Sequence, residues 1–152
     1  MLARDIMNRN VITIQEDATI EELARILTEN HISGAPVVDR EGKMVGIVTD
    51  ADLLHKETSP RAPGFFNILG AIIYVSGITR FREDFKKLAA TKTSEIMTSE
   101  VITTSGEASI EQVAALMVDR DVKRVPVMEK GAIVGIIGRA DIVKTLAGPE
   151  SR

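Results

Sequence analysis

Gly46-Ile47-Val48-Thr49-Asp50-Ala51-Asp52 and Gly135-Ile136-Ile137-Gly138-Arg139-Ala140-Asp141 are one stretch of sequence met twice. Each starts as an apolar, partly β-branched run and ends on small and charged residues, which is how a strand passes into a helix. Around these windows the likeness extends in both directions. Residues 5–54 align with 95–143 after one gap at Glu41, and 17 of the 49 aligned pairs are identical. Ile6-Met7 matches Ile96-Met97, Val11-Ile12-Thr13 matches Val101-Ile102-Thr103, and Pro36-Val37 matches Pro126-Val127. Self-similarity kept in order over such a length marks a duplicated structural unit.

The pattern within each copy reads β-α-β-β-α. Val11–Ile14 is a β-branched run and predicts a strand. Thr19-x-x-Glu22 and Ser109-x-x-Gln112 carry the capping-box signal of a helix start. Ile20, Leu23, Ala24 and Leu27, like Ile110, Val113, Ala114 and Met117, then keep helical spacing. Ala35–Asp39 and Met44–Val48 read as a hairpin across the turn Arg40-Glu41-Gly42-Lys43, and the second copy turns on the shorter Lys130-Gly131. A last helix is expected from near Ala51 and Ala140. The expected fold is mixed α/β (α+β), with repeats over residues 1–57 and 93–147, an insertion over 58–92 and a short tail over 148–152. The insertion holds all five aromatic residues, Phe65, Phe66, Tyr74, Phe81 and Phe85, and reads as helical. It is expected either to pack on its own protein or to dock a partner.

Composition narrows the function classes. The chain has 152 residues, 27% of them charged and 44% hydrophobic, as in ordinary globular proteins. A unit of about 50 residues buries little surface alone, so two are expected to share a core. The net charge of −3 speaks against a nucleic-acid partner. With no cysteine, disulfides, thiolate metal sites and cysteine nucleophiles are excluded, and a cytoplasmic location fits. No apolar run approaches the ~20 residues of a membrane-spanning helix, so no transmembrane segment is expected.

The strand-to-helix windows hold the candidate chemistry. Backbone N–H groups at such a terminus attract anions. Thr49 offers a hydroxyl, and Asp52 a carboxylate able to accept both hydrogen bonds of a vicinal diol such as ribose presents. The same residues are equally an ordinary helix cap. The second copy keeps the carboxylate as Asp141 but carries Gly138 in place of the hydroxyl, which leaves a backbone N–H for a phosphate; Arg139 either adds charge or points to water.

In combination the Ile-Met lead-in, the Pro-Val strand and the Gly-h-x-Thr-x-x-Asp exit (h apolar), present twice, resemble a tandem of cystathionine-β-synthase (CBS) domains, a Bateman module. The resemblance implies repeats packed about a pseudo-two-fold axis with clefts for adenosine-containing ligands such as AMP, ADP or ATP. It implies no required cofactor, a homodimer, and a regulatory, energy-sensing role acting on an effector protein in trans. Carried over by position, Asp52 and Asp141 are the ribose-binding carboxylates and Thr49 lies beside the phosphate. Lys123 and Arg124 supply positive charge where the first copy has Ser33 and Gly34, although a solvated strand edge would also account for them. Ile12, Thr13, Ala35 and Pro36 would line the adenine. Gly138 and Ser33-Gly34 depart from the pattern and make the two sites unequal. S-adenosylmethionine and dinucleotides present the same adenosine.

Two other classes compete. Catalysis would need more than the isolated His31 and His55 or the carboxylates Asp50 and Asp52. A ligand-free dimerisation or interaction module would use the aromatic-rich insertion.

Overall fold

The computed structural model describes residues 1–54 and 91–148. In chain order the elements are α1 (Ala3–Ile6), β1 (Ile14–Gln15), α2 (Ile20–Glu29), β2 (Gly34–Val38), β3 (Met44–Thr49), α3 (Asp50–Leu54), a 3₁₀ turn (Thr93–Glu95), β4 (Thr104–Ser105), α4 (Ile110–Asp119), β5 (Arg124–Glu129), β6 (Ala132–Gly138) and α5 (Arg139–Leu146). The fold is mixed α+β with two three-stranded sheets, ordered β1-β2-β3 and β4-β5-β6. In each, the first pair is parallel and the second antiparallel. The insertion that reads as helical from the sequence lies outside the described residues.

Both capping boxes form. Thr19 N–H donates to Glu22 Oε2 at 2.9 Å and Glu22 N–H to Thr19 Oγ1 at 3.2 Å. Ser109 and Gln112 repeat the exchange at 2.9 and 3.1 Å. Both helices also stop alike. Ile32 N–H donates to Leu27 O and His31 N–H to Thr28 O, with His31 left-handed at φ 52. Val122, Met117, Asp121 and Val118 repeat this, with Asp121 at φ 51. This is the Schellman closure, here built without glycine.

The strands expected at Val11–Ile14 and its counterpart are shorter than their β-branched runs. Ladder pairing covers only Ile14–Gln15, opposite Val37–Val38, and Thr104–Ser105, opposite Val127–Met128. The residues before Val37 and Val127 are Pro36 and Pro126, which bring no N–H with which the ladder could continue.

The compact units cut across the repeats. One, the first-sheet unit, is Thr13–Ser99; the other, the second-sheet unit, is Met1–Ile12 together with Glu100–Arg152. Each repeat's Ile-Met lead-in is therefore built into the unit that holds the other repeat's sheet. In the second-sheet unit, Asn8 and Ile136 exchange backbone hydrogen bonds at 2.9 and 3.0 Å, and Ala3 N–H donates to Ala108 O at 2.8 Å. In the first-sheet unit, Thr98 and Ile47 exchange bonds at 2.9 Å each. Thr93, fully buried, donates to Ala18 O through both N–H and Oγ1.

Two separate cores follow. Ile14, Ile20, Leu23, Leu27, Ala35, Val37 and Val48 form that of the first-sheet unit, with Ile96 and Met97 against it. Ala3, Met7, Val113, Met117, Val125, Val127 and Ile137 form that of the second-sheet unit. The mid-strand glycines belong to this packing. A Cβ on Gly46 would stand 2.5 Å from Met97 Sδ and 2.9 Å from Thr98 O. A Cβ on Gly135 would run into Met7. The matching Gly-Ile pairs of the sequence are thus seats for the matching methionines.

Candidate functional site

β3 and β6 each end where a helix begins, and the residues singled out in the sequence collect at these exits. In the first-sheet unit, Asp50 N–H donates to Ser33 O at 2.7 Å, and Gly34 pairs with Thr49. This closure holds the start of β2 beside the start of α3. Thr49 and Asp52 are half-buried and bonded to one another. Asp52 Oδ2 accepts from Thr49 N–H at 2.8 Å and from Thr49 Oγ1 at 3.3 Å, and Asp52 N–H donates to Thr49 Oγ1 at 3.3 Å. The Thr-x-x-Asp pattern is therefore a formed helix cap. The cap also fixes where the carboxylate sits.

The second-sheet unit repeats the arrangement with different chemistry. Arg139 N–H donates to Lys123 O at 3.0 Å, and Arg124 pairs with Gly138. Asp141 Oδ2 accepts from Gly138 N–H at 2.7 Å. That backbone donor is thus engaged by the carboxylate, not open to a phosphate as the sequence suggested. Arg139 is exposed and makes contacts within its own unit. Its Nε donates to Val122 O at 3.3 Å and its Nη2 pairs with Asp121 Oδ1 at 3.5 Å, which ties it to the turn after α4. Lys123 is exposed and Arg124 half-buried at the start of β5.

The residues expected around an adenine differ in exposure. Ala35 and Pro36 are buried in β2, Thr13 is exposed just ahead of β1, and Ile12 is half-buried. Thr13 belongs to the first-sheet unit and Ile12 to the second-sheet unit.

Within the second-sheet unit a cleft of ≈ 400 Å³ opens at Asp141, lined also by Met1, Ile6, Lys144, Thr145 and Gly148. Thr145 Oγ1 donates back to Asp141 O at 2.9 Å. The sequence reading missed Lys144. Its place three residues after Asp141, one turn along the same helix face, is the signal that could have found it. Among the described residues no three His, Asp or Glu side chains gather as a metal site, and no helix is long and apolar enough to cross a membrane.

Comparison with known proteins agrees with this double plan. Residues 3–58 and 94–148 each match the CBS domain family. An uncharacterized protein of Methanocaldococcus jannaschii, MJ1426, is 31% identical over 96% of this chain and 91% of its own length. The crystal structure of the CBS domain of a CBS-domain-containing membrane protein from Sphaerobacter thermophilus is similar with a TM-score of 0.75 at 32% identity, over 95% of this chain and 86% of that one. The CBS domain pair of protein MJ0100, solved in complex with 5′-methylthioadenosine and S-adenosyl-L-methionine, is similar with a TM-score of 0.71 at 28% identity, over 97% of each chain.

Proposed function

This chain belongs to the CBS domain family and carries the domain twice, and on that premise we propose that it is a non-catalytic regulatory module that binds an adenosine-containing ligand through Asp52 and Asp141. The observation that carries the reading is the pair of carboxylates at matching places. Each stands three residues past the end of its strand with Oδ2 anchored by a backbone N–H, at 2.8 and 2.7 Å. An ionised carboxylate has about four lone-pair sites. Its two oxygens match the two hydroxyls that a ribose presents. The adenosine ligands of the MJ0100 pair support the same chemistry.

AMP, ADP, ATP, S-adenosylmethionine and 5′-methylthioadenosine all present the required diol. Lys123, Arg124 and Lys144 are the second copy's candidates for a phosphate, and an energy-sensing role follows if the ligand is an adenine nucleotide. No cofactor is required. Such a ligand regulates only by binding one conformation better than another. The effect then passes to an effector protein in trans, with the module acting as a cytoplasmic homodimer.

A thermal-shift panel of these five ligands tests the proposal. A ligand at 100 times its Kd should add ~2.7 kcal/mol of stability. Asp52→Asn and Asp141→Asn are the informative variants, because an Asn Oδ1 can still accept the N–H of Thr49 or Gly138, which keeps the backbone bond while the carboxylate is lost. Each should weaken the response. If both keep it in full, these are not the sites. If no ligand raises the Tm of the native protein, the ligand-free interaction module takes its place, and turnover of AMP or ATP would restore an enzyme reading.

A further inference from the structure

The two exits differ at position 49/138, and the fold does not demand the difference. Gly138 has φ −101 and ψ 166, extended backbone open to any residue. A Cβ placed there would lie 3.5 Å from Asp141 Oδ2 and 3.9 Å from Lys123 O, ordinary contact distances. Gly138 is also the N-cap of α5, a place that Ser, Asn or Asp would serve better. Neither sterics nor helix stability explains the glycine.

What the glycine changes is the hold on the carboxylate. In the first copy both Thr49 donors converge on Asp52 Oδ2, and the Thr49 hydroxyl takes the Asp52 N–H in return. Turning the carboxylate away would break two bonds. In the second copy the Asp141 carboxylate has a single hydrogen bond among the described residues, from Gly138 N–H. It faces a cleft whose walls include the apolar Met1 and Ile6. A group held in its binding geometry before the ligand arrives loses less freedom on binding.

We propose that position 49/138 sets how strictly each copy reads the ribose: Thr49 is a positioning residue that locks Asp52 for a 2′,3′-diol, and Gly138 leaves Asp141 a looser, more permissive carboxylate. The inference rests on the adenosine-binding reading and deepens it, since it makes the two copies differ in ligand tolerance.

The test compares AMP with 2′-deoxy-AMP, and adenosine with 2′-deoxyadenosine, by titration calorimetry. The first copy is read in an Asp141→Asn background and the second in Asp52→Asn. The deoxy-to-ribo ratio of Kd values should be larger for the first copy. Thr49→Val, of similar shape but without the hydroxyl, should lower that ratio about fivefold, the worth of one net hydrogen bond. Thr49→Ser should retain it. Gly138→Thr should raise the second copy's ratio by a similar factor, a gain that misfolding cannot produce. If Thr49→Val does not fold, the Gly138→Thr arm decides alone. Binding with unchanged ratios in both variants overturns the inference and leaves the adenosine reading standing. Failure of the native protein to bind any of the four compounds overturns both.

Discussion

In the first-sheet unit α2 turns Glu21, Arg25 and Thr28 to solvent, with Arg25 and Glu21 paired at 3.5 Å. On α4 of the second-sheet unit the aligned positions are Glu111, Ala115 and Val118, and Val118 is 77% exposed. The buried faces of the same helices correspond residue for residue: Ile20, Leu23 and Leu27 against Ile110, Val113 and Met117. The strand exits divide the same way. Both close through a backbone bond to the residue before the hairpin, Ser33 or Lys123, and then differ at Thr49 and Gly138. What the copies share is therefore what closes a sheet and seats a helix. What separates them lies at exposed and half-buried positions.

Breaking the shared half should cost most. Leu23→Ala empties a fully buried site and should cost about 2–5 kcal/mol in urea unfolding. Val113→Ala, at the aligned position, should cost about 0.8 kcal/mol less, since one methylene fewer is removed. Equal losses would show that the two cores relax differently around a cavity. Gly46→Ala and Gly135→Ala come next, at about 1–3 kcal/mol each, because each new methyl meets the lead-in methionine of its unit. The three atoms nearest a Cβ at Gly135 all belong to Met7, so Met7→Ala should relieve part of the Gly135→Ala cost. At Gly46 the carbonyl of Thr98 remains in the way, so Met97→Ala should give less relief.

The helix caps sharpen the comparison at lower cost. Thr19→Ala and Ser109→Ala should each lose about 0.5–2 kcal/mol, and equal losses are expected because both boxes are complete. The smallest effect belongs to the left-handed positions. Placing glycine at residue 31 relieves a penalty of ~1–2 kcal/mol. The extra freedom of the unfolded chain takes back ~0.4–1 kcal/mol. His31→Gly should therefore stabilise slightly. Asp121→Gly should stabilise less, since it also removes the exposed ion pair to Arg139, worth ~0–1 kcal/mol. A higher Tm for Asp121→Gly than for His31→Gly would mean that this pair contributes nothing.

Local chemistry carried most of the fold into the sequence. The capping boxes, the helical spacing and the hairpin turns are short-range signals, and the elements form where these residues put them. Val11–Thr13 read as strand because β-branching is visible, whereas the parallel partner it would need is set by Pro36, more than 20 residues on. The exchange of lead-in segments was harder still to see. Ile6-Met7 looks identical to Ile96-Met97, so the residues themselves do not say which sheet each joins. Gly46 and Gly135 held the hint, because glycine inside a strand marks a close approach. At the exits the identity of Asp52 and Asp141 was legible. The engagement of the Gly138 N–H and of Arg139 was not, since both depend on distances of a few tenths of an ångström.

The division into Thr13–Ser99 and Met1–Ile12 with Glu100–Arg152 also sets an order of events on the ribosome. The first-sheet unit is one unbroken stretch of chain and can close as soon as it has emerged. Residues 1–12 leave the tunnel before it, yet their partners Ala108 and Ile136 are translated after it. At roughly 5–20 residues per second they wait on the order of ten seconds, with the apolar side chains of Ile6 and Met7 unprotected. Residues 1–12 are made before the first-sheet unit and close after it, and that interval is when a chaperone has most to do.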